Sequence, residues 1–223
     1  MSAKLFISAI SKFIMGVLLV GVLLFLPAGT FVFFGGWLLM GILFIPMLFA
    51  GIILCFKNPA LLEKRLHAKE KQKEQGFVVA CSGLMFLAGF ITAGLGVRLD
   101  WYTLPRWVSY VGAGVFLVSY LLYGEVLREN AYLSRTIEVQ SGQTVIDTGL
   151  YSVVRHPMYA ATVLMFLAIP LILGSVVCLL IFLVYPILIG IRIRGEEALL
   201  ARKLDGYTDY QSRVKYRLIP FVW

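Results

Sequence analysis

The chain has 223 residues, of which 60% are hydrophobic and 14% are charged, and its mean hydropathy is +0.89. This composition leaves too little polar surface for a water-soluble domain, and the abundant aromatic and branched aliphatic side chains exclude a disordered or collagen-like chain. The formal net charge of +8 is compatible with nucleic-acid binding. In so apolar a chain, however, the positions of Lys and Arg are better interpreted as a sign of membrane topology.

The first predicted element is a hairpin of two membrane helices. Residues 13–56 contain no charged side chain, and this run is about twice as long as the roughly 20 residues of one helical span. The turn is expected between Pro27 and Gly36. Lys4 and Lys12 precede the apolar run as they would in a signal peptide. Because a second apolar run follows almost at once, we interpret the segment as an anchor rather than a cleaved leader.

The next elements are a polar segment and two further spans. Residues 57–75 are rich in Lys and Glu, and the Asn58-Pro59 step predicts the end of the second helix. Residues 77–97 and 107–127 predict the third and fourth spans, with aromatic residues between them where an interfacial belt is expected. Residues 1–127 are therefore predicted to form a membrane part of four helices, with a basic cytosolic loop at 57–75.

The remaining chain, residues 128–223, contains a long polar stretch, a further apolar segment and a polar tail. Residues 157–193 are long enough for two more spans, and Gly174-Ser175 is the expected turn. The sequence thus predicts an all-α integral membrane protein with about six transmembrane helices, the last two of which form a C-terminal helical hairpin.

The distribution of positive charge predicts the orientation. Six spans place 18 of the 20 Lys and Arg residues on one side of the membrane and leave Arg98 and Arg106 on the other. Under the positive-inside rule the first side, which holds both the N-terminus and the C-terminus, is cytoplasmic. An odd number of spans would scatter these charges over both sides.

The C-terminal hairpin gathers polar side chains at one membrane boundary. Both arms rise by about 1.5 Å per residue, so the second arm returns to the level at which the first began. Arg155, His156 and Tyr159 at the start are therefore expected near the end of the second arm. Pro157 suits the first position of a helix, with His156 as its cap. The polar residues expected at the end of the second arm are Arg192, Arg194, Glu196 and Glu197.

One imidazole, several guanidiniums and two carboxylates at one boundary indicate a site. Each group also has an interpretation without function. His156 can be a plain helix cap, Arg155 can mark the membrane boundary, and the two glutamates can pair with nearby arginines on a solvated helix face. The glycine pairs at 94–96 and 112–114 lie inside spans and are expected to be packing contacts rather than phosphate loops.

The sequence contains no metal or nucleotide motif. Cys55, Cys81 and Cys178 lie in apolar stretches without metal or redox spacing, so they are expected to be packing residues. No HExxH, CxxC, Walker-type loop or Ser/His/Asp order is present. Hydrolase, zinc and nucleoside-triphosphatase activities therefore have no support, and no metal is predicted.

The string Gly149-Leu150-Tyr151-Ser152-Val153-Val154-Arg155-His156-Pro157-Met158-Tyr159 resembles the isoprenylcysteine carboxyl methyltransferase family. More broadly, it resembles the small integral membrane methyltransferases that include phospholipid N-methyltransferases. After the hairpin, the acidic pair Glu196-Glu197, the Gly206-Tyr207 and Tyr210 region and the ending Arg217-Leu218-Ile219-Pro220 are similar to the family pattern. The resemblance covers residues 130–223. One departure is Leu204-Asp205-Gly206-Tyr207, which is one residue shorter than the corresponding segment of many members.

The resemblance implies that S-adenosylmethionine binds in a cytosolic pocket at the end of the last hairpin, and that residues 128–223 form the catalytic region. The acceptor would be an amphiphilic lipid or lipidated molecule from the bilayer. By position, the implied cofactor-binding residues are Gly149, Tyr151, His156, Pro157, Tyr159, Glu196 and Glu197. The implied catalytic residues are Arg155 and Arg194, the latter as the group that orients an acceptor carboxylate, and the implied acceptor contacts are Tyr207 and Tyr210.

Methyl transfer from a sulfonium is an in-line displacement that depends mainly on alignment, so few catalytic residues are needed. A carboxylate acceptor needs no general base. An amine acceptor must lose a proton, and His156 is already assigned to the cofactor pocket, which favours carboxylate O-methylation. Three alternatives remain open: N-methylation of a lipid amine, a sterol-type membrane reductase that uses NADPH, and a non-enzymatic membrane module.

Overall fold

The computed structural model describes residues 3–57, 59, 62, 63, 66, 73–101, 103–130, 132, 133 and 139–223. In this part of the chain the regular structure is helical. The helices are α1 (Ala3–Ala28), α2 (Phe34–Lys57), α3 (Lys73–Arg98), α4 (Arg106–Glu129), α5 (Pro157–Leu173), α6 (Val176–Phe182), α7 (Val184–Lys203) and α8 (Tyr207–Arg213), with a 3₁₀ turn at Gly149–Ser152. Most of the predicted basic loop at 57–75 lies outside the described residues.

Five helical stretches are long and apolar enough to cross a membrane: α1, α2, α3, α4 and the continuous run of α6 and α7. Helix α5 has 17 residues and lies at the lower limit of what spans a bilayer. The predicted all-α membrane fold is confirmed. The turn of the first hairpin lies at residues 29–33, within the predicted interval.

The turns between the helices meet at one end of the bundle. Gly174 ends α5 in the left-handed region at φ 67°, and Ser175 caps α6 by accepting a hydrogen bond from the Cys178 N–H. The Leu104 N–H donates to the Gly174 carbonyl at 2.8 Å, which joins the turn before α4 to the turn of the last hairpin. The start of α5 and the end of α7 consequently lie at the opposite end, as the hairpin predicted.

The second arm of this hairpin is interrupted at Leu183. Pro186 has no N–H to donate to the Phe182 carbonyl, and its ring clashes with that carbonyl in a regular helix. The chain therefore ends α6 at Phe182 and starts α7 at Val184. Helix α7 continues to Lys203, beyond the predicted end at residue 193, and in this way carries both glutamates of the acidic pair.

Some helices pack closely against each other at glycine residues, where no side chain keeps them apart. A Cβ on Gly112 of α4 would stand 2.9 Å from the Leu171 Cβ and 3.0 Å from the Ile172 nitrogen of α5. A Cβ on Gly94 of α3 would stand 2.5 Å from the Leu24 carbonyl oxygen of α1. The expected packing role of these glycines is confirmed. Gly114 does not have this packing role, because a Cβ at this position would meet no atom within 4 Å in the described part of the chain.

We expect Gly112→Val to destabilise the protein by about 1–3 kcal/mol, because the new methyl groups force α4 away from α5. Gly114→Val, on the same helix, is the matched control and is expected to leave the melting temperature in detergent unchanged. Equal melting temperatures for the two variants would show that the α4–α5 contact does not limit stability.

Candidate functional site

Glu197 of α7 is the centre of a buried ion-pair network at the polar end of the last hairpin. Its Oε1 accepts from the Arg155 Nε at 2.7 Å and lies 3.2 Å from the His156 Nε2. Its Oε2 accepts from the Arg217 Nε at 2.8 Å. The side chains of Glu197 and Arg155 are 6% and 7% exposed. Desolvated charges of this kind persist only when they are paired, so Glu197 holds three separate segments together.

A second set of contacts connects α5 with α7 beside this network. The Tyr159 hydroxyl donates to the Glu196 Oε2 at 2.6 Å and accepts from the Arg192 Nε at 3.0 Å. The Arg192 guanidinium carbon also lies 6.0 Å from the centre of the Tyr159 ring. Arg192 is 8% exposed, so its charge is placed inside the protein at the end of a membrane helix.

The polar tail packs over the start of α5. The backbone N–H groups of Arg155 and His156 donate to the carbonyls of Tyr216 and Arg217, both at 2.9 Å. The Arg155 Nη1 also donates to the carbonyls of residues 214 and 215, at 2.7 and 3.0 Å. The Arg155 guanidinium thus satisfies three acceptors on two elements, an arrangement that suits the planar fork of donors of an arginine.

These elements border a cleft that is open to solvent. One wall consists of residues 130, 132, 133 and 143–146, and the other is formed mainly by α5, α7 and α8. The lining residues are Asn130, Tyr132, Leu133, Gln143, Thr144, Val145, Ile146, Tyr151, Arg155, His156, Met158, Tyr159, Arg192, Glu196, Leu200, Leu204, Tyr207 and Tyr210.

Most of the site residues predicted from the sequence meet in this cleft. The predicted residues that line it are Tyr151, Arg155, His156, Tyr159, Glu196, Tyr207 and Tyr210. Pro157 is the first residue of α5 and His156 its cap, as expected. Glu197 lies behind the wall, where both carboxylate oxygens are bonded to side chains of the protein. The roles of all these residues toward a ligand remain predictions.

The structure does not bring Arg194 to the cleft. Its side chain is exposed and is not among the lining residues. The cation that α7 contributes is Arg192, which the sequence analysis placed nearby without a role. Arg192, Glu196 and Leu200 are spaced four residues apart and therefore share one helix face. This helical spacing is the sequence signal that could have identified Arg192 as a residue of the cleft.

The 3₁₀ turn is fastened to the end of α4. The Glu129 carboxylate accepts from the Thr148 hydroxyl at 2.9 Å and from the Leu150 N–H at 3.2 Å. Gly149 lies between these donors at φ 48°, and a Cβ there would collide with the Glu129 carboxylate. Gly149 therefore shapes the turn and does not itself line the cleft.

The same turn positions Tyr151 on the cleft wall. The Asn130 side-chain amide donates to the Tyr151 hydroxyl at 2.9 Å, and the Tyr210 hydroxyl donates to the Tyr151 carbonyl at 2.7 Å. Burial raises the pKa of Tyr151 to about 12, so this phenol is neutral at physiological pH. Asn130 was missed by the sequence analysis.

Tyr207 carries a buried hydroxyl that is left without a partner. The residue is 4% exposed, and no hydrogen-bond partner for its hydroxyl lies within the described part of the chain. Burial, together with the negative charges of Glu197 and Glu196, raises its pKa. The group is therefore a protonated donor beside the cleft, and an unsatisfied buried donor in a cleft is a candidate ligand contact.

We expect Tyr207→Phe to leave the melting temperature unchanged or slightly raised, since the hydroxyl makes no hydrogen bond that the substitution removes. Tyr210→Phe removes the bond to the Tyr151 carbonyl and is expected to destabilise the protein by about 1 kcal/mol. Thermal unfolding in detergent tests this difference. A larger loss in Tyr207→Phe would mean that its hydroxyl has a structural partner.

Comparisons with known proteins agree on fold and family. The model of the isoprenylcysteine carboxyl methyltransferase (ICMT) family matches residues 111–202. The uncharacterized protein YpbQ of Bacillus subtilis (strain 168) is 24% identical over 165 residues, which are 74% of this chain and 95% of that protein.

A solved structure has the same fold. The eukaryotic intramembrane Ras methyltransferase ICMT, determined without a monobody, superposes with a TM-score of 0.57 at 19% identity, covering 92% of this chain and 74% of that one. The resemblance stated from the sequence is confirmed. Residues 111–202 therefore match the isoprenylcysteine carboxyl methyltransferase family, and the chain has the fold of that solved methyltransferase.

Proposed function

We propose that the protein transfers a methyl group from S-adenosylmethionine to the carboxylate of a membrane-embedded amphiphile. The observation that carries the proposal is the cleft at the polar end of the last hairpin. It combines a buried guanidinium with a carboxylate and with a phenol that has no partner in the described part of the chain. These groups lie where an acceptor anchored in the bilayer can present its head group.

The groups in the cleft fit the chemistry of S-adenosylmethionine. The Glu196 carboxylate is an acceptor for hydroxyl or ammonium donors. Apolar side chains such as Val145 and Leu200 suit a heteroaromatic ring, and tyrosine rings favour a cation. When bound, the cofactor would supply an electrophilic methyl group on a sulfonium.

The charges in the cleft favour a carboxylate acceptor. His156 is bonded through its Nε2 to Glu197, so it is held in place rather than available as a base. Arg192 is a buried cation on the cleft wall, and a planar guanidinium matches a carboxylate. An ionised carboxylate attacks without losing a proton, so the protein only has to align it and exclude water.

We also propose that the cleft and both termini face the cytoplasm, as the positive-inside rule predicts from the 18 of 20 Lys and Arg residues on that side. In this arrangement residues 1–127 anchor the protein and residues 128–223 form the catalytic region. The acceptor enters from the bilayer as a lipid or lipidated molecule.

Cofactor use is tested by calorimetry on the purified protein in nanodiscs. We expect the wild type to bind S-adenosylmethionine saturably. The Glu196→Gln variant, which lacks a charged acceptor in the cleft, is expected to bind it with an affinity at least about tenfold weaker. Glu125→Gln, an exposed change on α4, is the control and should bind normally. Binding and oxidation of NADPH, with no response to S-adenosylmethionine in a folded sample, would instead establish the reductase alternative.

The acceptor class is tested by methyl transfer from labelled S-adenosylmethionine. A prenylated cysteine with a free carboxylate is compared with phosphatidylethanolamine, whose amine would be N-methylated. Alkali releases methanol from a methyl ester but not from a methylated amine, so product lability distinguishes the two. We expect an alkali-labile product, and we expect Tyr207→Phe to raise the acceptor KM about tenfold. An alkali-stable product would overturn the carboxylate assignment.

A further inference from the structure

The last residues of the tail form a compact hook, residues 217–223. The Trp223 carbonyl oxygen accepts hydrogen bonds from the N–H groups of residues 217–219, at 2.9 to 3.1 Å. Phe221, in the middle of the hook, has φ 65°, a left-handed conformation that is uncommon for a bulky residue. The hydrogen bonds hold the hook in this shape and direct Phe221 outward.

The hook reaches down to the apolar part of α7. The Trp223 Cη2 lies 3.8 Å from the position that a Cβ on Gly190 would take. Gly190 belongs to the uncharged run at residues 184–191 and lies about 10 Å along the helix axis from Glu197. The Arg217 guanidinium carbon lies 5.4 Å from the centre of the Trp223 ring. The ring thus contacts both an apolar helix position and a charged group, as aromatic rings at a membrane interface do.

The side chains next to this ring are exposed and apolar. Phe221 is 87% exposed, Val222 75% and Ile219 50%. Such a cluster would expose a large apolar surface to water, but at a membrane interface it faces the acyl chains of the bilayer.

Basic side chains border the apolar cluster on the side of the polar end. A shallow groove lies between the hook and the 3₁₀ turn and is lined by Ser152, Val153, Arg213, Val214, Lys215, Tyr216, Pro220 and Phe221. Lys215 is exposed. The Arg213 Nη2 pairs with the Asp147 Oδ2 at 2.8 Å, but the arginine side chain stays 62% exposed. Two basic side chains and the apolar Phe221 thus line the same groove.

We propose that this groove binds an anionic phospholipid of the surrounding membrane. Arg213 and Lys215 contact the phosphate of the head group, and Phe221 and Val222 lie among the acyl chains. Apolar side chains beside basic ones are the combination that binds anionic membrane surfaces. This site does not depend on methyl transfer in the cleft.

Lipid binding at the groove stabilises the polar end of the hairpin. The hook begins at Arg217 and follows Tyr216, and the carbonyls of these two residues accept from the backbone N–H groups of His156 and Arg155. A ligand that binds only the folded tail raises the stability of every element fastened to it.

The test compares melting temperatures in nanodiscs of phosphatidylcholine with and without phosphatidylglycerol. For the wild type we expect phosphatidylglycerol to raise the melting temperature by about 3 °C or more. The rise should be lost in Arg213→Gln/Lys215→Gln and reduced in Lys215→Gln, which keeps the pair with Asp147. Arg128→Gln, a loss of one exposed charge at the same end of the bundle, is the control and should keep the full rise.

A second measurement tests the depth of the hook directly. Trp223 is made the single tryptophan by changing Trp37, Trp101 and Trp107 to Phe, and lipids brominated on the acyl chains are added as quenchers. Strong quenching of Trp223, reduced in Phe221→Ser/Val222→Ser, is expected. A rise in melting temperature that is equal in all variants, or a Trp223 signal that brominated lipid leaves unchanged, would overturn the proposal.

Discussion

Glu197→Gln is expected to lower the melting temperature by about 10 °C or more and to abolish binding in the cleft. The amide keeps the shape of the side chain but leaves the buried Arg155 guanidinium and the Arg217 guanidinium without a counter-charge. Breaking a buried ion pair from one side costs about 3–5 kcal/mol, and in a chain of this size each kcal/mol corresponds to a few degrees. Thermal unfolding in detergent measures the first effect.

Loss of binding has a separate cause and a separate measurement. Glu197 holds His156 and Arg155 on the cleft wall, so calorimetry well below the melting temperature of the variant should detect no S-adenosylmethionine binding. Glu125→Gln removes an exposed partner of Arg128 on α4 and is expected to change neither quantity. Normal stability of Glu197→Gln would show that the network is dispensable.

Arg192→Lys is expected to reduce kcat/KM for a prenylated cysteine carboxylate by at least about 100-fold while S-adenosylmethionine still binds. The ammonium of lysine cannot present the planar, two-pronged donor that aligns a carboxylate. It also cannot reproduce the contact between the Arg192 Nε and the Tyr159 hydroxyl. Misalignment of the acceptor lowers the rate without a comparable loss of cofactor affinity.

Arg194→Lys is the matched control, since Arg194 is an exposed arginine two residues further along the same helix. We expect kcat/KM of this variant to stay within about twofold of the wild type. Normal activity of Arg192→Lys with a large loss in Arg194→Lys would restore the role that the sequence predicted for Arg194.

Helix lengths were sufficient to predict which ends of the chain meet. An uncharged run of about two spans predicts a hairpin, and equal rise in both arms places Arg155 opposite Glu197. The structure has these two side chains in direct contact at 2.7 Å.

The second partner of Glu197, Arg217, could not be predicted from the hairpin. Arg155 and Arg217 pair with Glu197, whereas Arg194 is exposed. Arg217 belongs to a tail without helical periodicity, and no spacing in the sequence indicates that an irregular segment folds back over a site. The segment at residues 139–148, which forms the opposite wall of the cleft, was unpredictable for the same reason.

The unpaired hydroxyl of Tyr207 was equally out of reach of sequence reasoning. A tyrosine at this position matches the family pattern, but whether its hydroxyl is satisfied depends on every neighbouring donor and acceptor. The three-dimensional structure is needed to show that no partner for this hydroxyl lies in the described part of the chain.

The network around Glu197 also divides the pocket into a part that needs the tail and a part that does not. Arg155 and Glu197 belong to one hairpin, so they can neutralise each other without the tail. Arg217 and the carbonyls of residues 214 and 215 come from the tail and complete the partners of these two side chains. A chain that stops between residues 203 and 214 is therefore expected to keep the hairpin pair and to lose the contacts that make the pocket rigid.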